Sequence, residues 1–547
     1  MFNVDSWLPP AKIARLRSSW AGPFLENVLP LLIGVEADFT PAYSANMGAP
    51  NKPVAVLLGL LILKDTFDLT DAEVVEHFEF DLQWQYALDT SPDNAHVCPK
   101  TLYNFRQKIT GHVGIESLFE ELTDKIIALW SIKTTHHRID STHILSNMKI
   151  LNRLGLFVKT IEQFLNKLSS AYPEVYEKLP RHFGERYIDR EGYFADSKSS
   201  ESRHRLEQCA RDLWRLVNRF RRDRKVRKLK GYKKLVRLLK EQCLISTDKD
   251  DDGLPHVWFK EPARKEKEND ELGDVALKNP KEIASDTMQN PSDPDATYSG
   301  HKGTGYKAQF AETCSEENPF QVISQVEVEG AHKSDQEAAE RIHENLKERG
   351  HTPEVSYVDS GYVSGENILN AEKEGIDLKG PIGGKSTDEE KVPIGDFEFN
   401  KERTKVERCP AGYEPQRQEQ SRDGKSVNAY FDKEKCSGCP YADKCPTRSN
   451  KNSRVLRFTP SQVACAQRRK EQQTPEFKEE HKIRSGIEAT NSHLKNDRGM
   501  GRLRVRGSPA VKLSVIFKVI AENFSRVVKY VLRKSKNALK VPRAVKV

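Results

Sequence analysis

Apolar residues recur with helical spacing near the start of the chain and with strand-like runs in its middle, which separates two kinds of segment. From Asn51 to Ile109 the pattern is helical. The apolar run Val54–Leu63 stops at Lys64, short of the roughly 18 residues a membrane-spanning helix needs, so no membrane partner is expected. Thr70 followed by Glu73 has the form of a capping box. Beyond the turn SPDNAHVCP, Pro99 opens a second helix in which Leu102, Phe105 and Ile109 share a side. Lys100, Asn104, Arg106 and Lys108 are left nearer solvent. Two short helices around a polar turn suit a helix-turn-helix reader of a DNA major groove, with Lys100 and Arg106 as candidate contacts. Many helical bundles share that pattern.

The run His136–Leu145 is rich in β-branched residues and reads as a strand. Leu151 to about Gln242 is mostly helical, and Lys260–Asp295 has the composition of a linker. Strand patterns resume at Gly305–Thr313 and Phe320–Val328. A helix follows, capped by Ser334 and ended by Gly350, and then a buried strand at Glu354–Asp359. Ser364–Glu374 reads as helical and Ile376–Ile382 as a short strand. This order is that of an α/β layer fold with long insertions.

Composition and charge narrow the partners. The 547 residues are 37% hydrophobic and 31% charged, too long for one ordinary domain and too apolar to be wholly disordered. The N-terminus has no basic start followed by an apolar core, so a cytoplasmic protein is expected. Ser202–Lys240 carries 16 Lys/Arg against 3 Asp/Glu, and His481–Val547 carries 17 against 3. With a net charge of only +8, the rest of the chain is acidic. Two concentrated basic stretches favour a nucleic-acid partner, although a single run reads equally well as a solvated helix face.

Two aspartates stand in similar settings, Ile139-Asp140-Ser141 and Val358-Asp359-Ser360. A carboxylate where a sheet opens to solvent can hold a cation, but Asp-Ser is also ordinary turn chemistry. The segment FKEEHKIRSGIEATNSHLKNDRG adds a third acid. At about 100° per residue, Arg484, Glu488, Lys495 and His481 share one polar stripe beside an apolar stripe of Ile483, Ile487 and Leu494. An amphipathic helix with an Arg484–Glu488 ion pair is the plainer account. Two Asp and one Glu suit Mg²⁺, a hard ion that prefers oxygen ligands, and paired ions suit phosphodiester displacement.

These residues carry a resemblance. His481, Arg484, Glu488 and Lys495 form H-x2-R-x3-E-x6-K, which resembles the Y-x2-R-x3-E-x6-K signature of DDE transposases from bacterial insertion sequences. Asp140 in RIDSTHI and Asp359 in YVDSGY match that family's two aspartates, and the N-terminal helical part resembles its InsH-type domain. GHKGTGYKAQ also resembles the family, and the likeness spans about residues 15 to 530. His481 replaces the signature tyrosine, which leaves that residue's role open.

The resemblance implies an RNase H-like core, a mixed sheet with flanking helices, interrupted by insertions. Asp140, Asp359 and Glu488 would bind Mg²⁺ (or Mn²⁺), with His481, Arg484 and Lys495 on DNA. It implies cleavage and joining of double-stranded DNA at terminal inverted repeats, by a homodimer. A structure-selective nuclease of the same fold and a non-catalytic DNA-binding descendant are the alternatives. The expected division is a helical N-terminal DNA-binding domain (1–130), the first part of the core (131–150) and a basic helical insertion with linker (151–300). The second part of the core (301–390), a cysteine-containing insertion (391–470) and the catalytic helix with a basic tail (471–547) follow. In the cysteine insertion, Cys409, Cys436, Cys439 and Cys445 have spacing that suits a closed structural Zn²⁺ site, with reduced thiols or a redox pair as the other readings.

Overall fold

A computed structural model describes residues 8–43, 52–189, 199–249, 255–259, 276–384, 391–422 and 424–540. The first part of the expected linker, 260–275, lies outside the described residues. Among the described residues, six strands form the central sheet: β1 (His136–Ile144), β2 (Thr297–Ser299), β3 (Gly303–Thr313), β4 (Ile323–Gly330), β5 (Val355–Tyr357) and β6 (Asp377–Lys379). β3 pairs antiparallel with β1, β2 and β4, while β1–β5 and β5–β6 are parallel. The result is a mixed α/β fold whose curled mixed sheet is compatible with an RNase H-like core.

The central strand β1 is covered on both faces. On one, Ile139 packs with Ala338, Ile342, Val358 and Tyr362 beneath the helix Asp335–Glu348, which Ser334 caps by accepting from the Gln336 N–H. On the other, Ile144 and Phe310 share a core with Ile487 and Leu494 of the helix Gly486–Asn496, with the long helix Ser508–Lys540, and with the N-terminal helices. The N-terminal helices therefore bury their apolar side partly against residues from the far end of the chain.

Polar contacts reinforce that union. Lys518 pairs with Asp65 at 2.9 Å, and Arg498 pairs with Glu522 at 3.1 Å, all four being buried. Arg526 reaches buried Glu312 at 2.6 Å. Part of the C-terminal positive charge is thus consumed inside the fold and is not available to a polyanion. A buried pair of this kind adds little net stability but is costly to break on one side only.

Both insertions build cores of their own. The first packs Phe157, Phe164, Leu213, Leu216 and Leu235 together and exposes Arg224, Lys225, Arg227 and Lys228 at a corner. The second encloses Phe397, Phe431, Leu456 and Phe458 between short strands. The Thr70–Glu73 capping box is present, with both reciprocal hydrogen bonds.

Candidate active site

Asp140 lies in mid-strand on β1, opposite Phe310, and Asp359 follows the end of β5. Parallel pairing of β1 with β5 sets these two carboxylates side by side, because Arg138 is level with Tyr357. Glu488 comes from the first turn of the helix Gly486–Asn496, whose buried Ile487 and Leu494 pack toward the β1 face. Three segments, each more than a hundred residues from the next, thus meet.

They meet on one guanidinium. Arg484 places Nη2 3.3 Å from Asp140 Oδ1 and 3.8 Å from Asp359 Oδ2, and Nη1 3.1 Å from Glu488 Oε1. In each aspartate the other oxygen is tied to the protein. Asp359 Oδ1 accepts from the Gly361 N–H at 2.8 Å, and Asp140 Oδ2 accepts from Asn491 Nδ2 at 3.0 Å. Burial raises the Asp140 carboxyl above its ordinary range, and the Arg484 charge opposes that shift.

The arrangement has hard oxygen donors, and its three carboxylates outnumber the single guanidinium, so its electrostatics favour a cation. Among the described residues, however, no group of three or more His, Cys, Asp or Glu side chains is arranged closely enough to hold a metal ion. The carboxylates surround Arg484 without closing on one another.

The helix expected to run continuously from His481 to Lys495 is broken. Pro475–His481 is α-helical, Lys482–Ser485 forms a 3₁₀ turn, and the α-helix resumes at Gly486. Arg138 on β1 explains the break: its Nη1 donates to the Ile483 carbonyl at 3.1 Å and its Nε to Glu312 at 2.6 Å. Ile483 consequently remains only half-buried and does not complete the predicted apolar stripe.

His481 stacks on Phe477, and its Nε2 bonds to the Val358 carbonyl at 2.9 Å, which anchors the chain just before Asp359. Lys495 is half-buried, and its amine is pushed down by burial and by the neighbouring charge of Lys302. In the N-terminal helices, Lys100 is exposed and lies over the Tyr103 ring. Arg106, expected nearer solvent, is instead half-buried and bonded to Asp71, with Nη1 donating to Oδ1 at 3.0 Å.

Cys409, Cys436, Cys439 and Cys445 line one small cavity with Phe397 and Phe431. They form no disulfide. The Tyr413 and Tyr441 N–H groups donate to the sulfurs of Cys409 and Cys439, each at 3.4 Å. Burial raises the Cys436 thiol, and the nearby Cys445 and Cys409 add to that shift.

Sequence reasoning missed Asn491, Gly486 and Arg138. Asn491 lies three residues after Glu488, a spacing that puts both on one helix face, and Arg138 lies two before Asp140 on the same side of the strand. Those spacings were the available signal.

Residues 23–108 match the family Transposase domain (DUF772), and residues 408–528 match the family Transposase DDE domain. The second match contains Glu488, Arg484, Lys495 and the four clustered cysteines; Asp140 and Asp359 precede it. No curated protein and no solved structure matches the chain. Among the described residues no helix is long and apolar enough to cross a membrane. A transposase-domain match toward each end of one chain indicates an insertion-sequence transposase of the DDE type.

Proposed function

We propose that this chain cuts and joins double-stranded DNA at insertion-sequence ends, with Asp140, Asp359 and Glu488 as the ligands of a pair of Mg²⁺ or Mn²⁺ ions. The observation that carries this reading is the gathering of three carboxylates from three segments around the Arg484 guanidinium. Bound there, the divalent ions would supply an activated attacking oxygen, first of water and then of a 3′-hydroxyl, and would stabilise the leaving oxygen. Arg484, freed from the carboxylates by that added charge, would meet a DNA phosphate, with Lys495 beside it. His481 would act by holding the Asp359 segment.

The reading extends to the rest of the chain. The N-terminal helices, with Lys100 exposed, and the corner at Arg224–Lys228 would bind duplex DNA through phosphates. The division at 130, 150, 300, 390 and 470 would separate DNA-binding helices, the two parts of an RNase H-like core, the two insertions and the C-terminal helices. The four-cysteine insertion would hold a structural Zn²⁺, since its donors are soft thiols around one cavity. A homodimer would bring two element ends together, in the cytoplasm at the nucleoid.

The test uses supercoiled DNA bearing the element's ends. Asp140→Asn, Asp359→Asn and Glu488→Gln should each abolish Mg²⁺-dependent cleavage while leaving end binding largely intact. Efficient cutting by any of them would refute that residue's role. A pre-cut end offered with a target plasmid separates the transposase from a nuclease, which would cut but never join.

A further inference from the structure

We infer that Asn491 is a positioning residue of the carboxylate site, selecting which oxygen of Asp140 faces the cation and keeping an acceptor ready for a water of that ion. The inference rests on the divalent-ion reading above. Asn491 and Asp140 are 8% and 9% exposed, so neither is free to exchange its partner for bulk solvent. The amide Nδ2 donates to Oδ2 of Asp140 at 3.0 Å, while Oδ1 of the same carboxylate lies 3.3 Å from Arg484. A carboxylate with one oxygen engaged in this way turns the other toward the positive charge. The amide does for Asp140 what the Gly361 N–H does for Asp359.

The second half of the amide is the more informative. Asn491 Oδ1 is buried and, among the described residues, accepts no hydrogen bond from any protein donor. A buried amide oxygen left without a donor is destabilising, and a fold seldom retains such a group without use. Asn491 is also three residues beyond Glu488 on the same helix. The face that carries the third carboxylate therefore carries an unsatisfied acceptor next to the first. Magnesium and manganese keep several of their waters when bound by carboxylates, and such a water is the donor this acceptor lacks. Groups that orient metal ligands in this manner are worth 10- to 100-fold in metal affinity.

Mn²⁺ binding to the full-length chain, followed by the electron paramagnetic resonance of the free ion, tests this without DNA. Asn491→Leu keeps the branched outline and the number of side-chain heavy atoms and removes both polar atoms. It should raise the Mn²⁺ Kd roughly 10- to 100-fold, with the urea midpoint measured in chelator unchanged. Asp140→Asn should remove the binding altogether. A Kd within twofold of wild type for Asn491→Leu, beside lost binding for Asp140→Asn, would overturn the inference and leave the metal reading standing. Wild-type Mn²⁺ binding by Asp140→Asn would defeat the metal reading itself. A chelator-independent fall in the urea midpoint that accompanies the affinity loss would mark a merely structural residue and also overturn the inference. Asn491→Ala provides the same comparison should the leucine variant fail to fold.

Discussion

Replacing Gly486 by alanine tests how the helix bearing Glu488 is seated on the sheet. Local propensity predicts stabilisation: the backbone at Gly486 is ordinary right-handed helix, φ −61° and ψ −25°, where alanine gains up to about 1 kcal/mol over glycine. The tertiary structure predicts the reverse. A Cβ on Gly486 would lie 1.8 Å from Arg138 Nη1 and 2.5 Å from its Cζ. Arg138 would have to withdraw, losing its bonds to the Ile483 carbonyl and to Glu312. Glu312 is fully buried, and stripping a buried charge of its partner costs about 3–5 kcal/mol. Here Glu312 keeps Arg526 at 2.6 Å and Thr490 at 2.7 Å, so a smaller loss of about 2–3 kcal/mol is expected. Set against the propensity gain, Gly486→Ala should destabilise by about 1–2 kcal/mol. If the helix shifts to relieve the contact, Glu488 moves with it, and a displacement near 1 Å costs up to about 100-fold in rate. Urea unfolding and single-turnover end cleavage read the two effects. The decisive comparison is the same substitution in an Arg138→Met background, where the obstructing guanidinium is gone and alanine should be neutral or stabilising. Equal destabilisation in both backgrounds would refute the argument.

Two further outcomes are expected. Burial holds the His137 imidazole down at about 3 and that of His343 at about 4, the nearby His343 adding to the shift at His137. Both therefore stay neutral in the fold, bonded to Ser324 and Ser356. Their contribution is fully present above the unfolded value near 6.5 and is lost as pH falls from there toward 4 and 3. At pH 5 the loss is about 2 kcal/mol for each, and His137→Gln with His343→Gln should show a correspondingly smaller drop in urea stability between pH 7.5 and 5. For the cysteine cluster, elemental analysis should find one zinc per chain, with Cys439→Ser losing it. Four readily alkylated thiols in metal-free protein, purified without chelator, would count against the site.

How much of this was legible in the chain differs by element. Helices and strands that announce themselves locally are where the pattern puts them: Thr70 and Ser334 cap the helices they precede, and β1, β3, β4 and β5 lie within or close to the predicted runs. The places of Asp140 and Asp359 in or just after strands, and of Glu488 in a helix, were legible too, because a residue's type and its distance from a strand end or helix start are written locally.

What needed the tertiary structure was every property set by a partner far along the chain. The Lys482–Ser485 turn arises because Arg138, more than 340 positions earlier, captures the Ile483 carbonyl. Helical periodicity within the segment does not contain that bond. Arg498, Lys518 and Arg526 count as basic residues in the sequence, yet each is matched by a buried acid. Charge counting cannot separate cations neutralised inside from those offered outside, since the two differ only in what folds against them. The amino-acid order thus determined which groups exist and which local elements carry them. Long-range packing decided that one guanidinium would stand among three carboxylates, because only the pairing of β1 with β5 and the seating of the Gly486 helix bring those groups within a few ångströms.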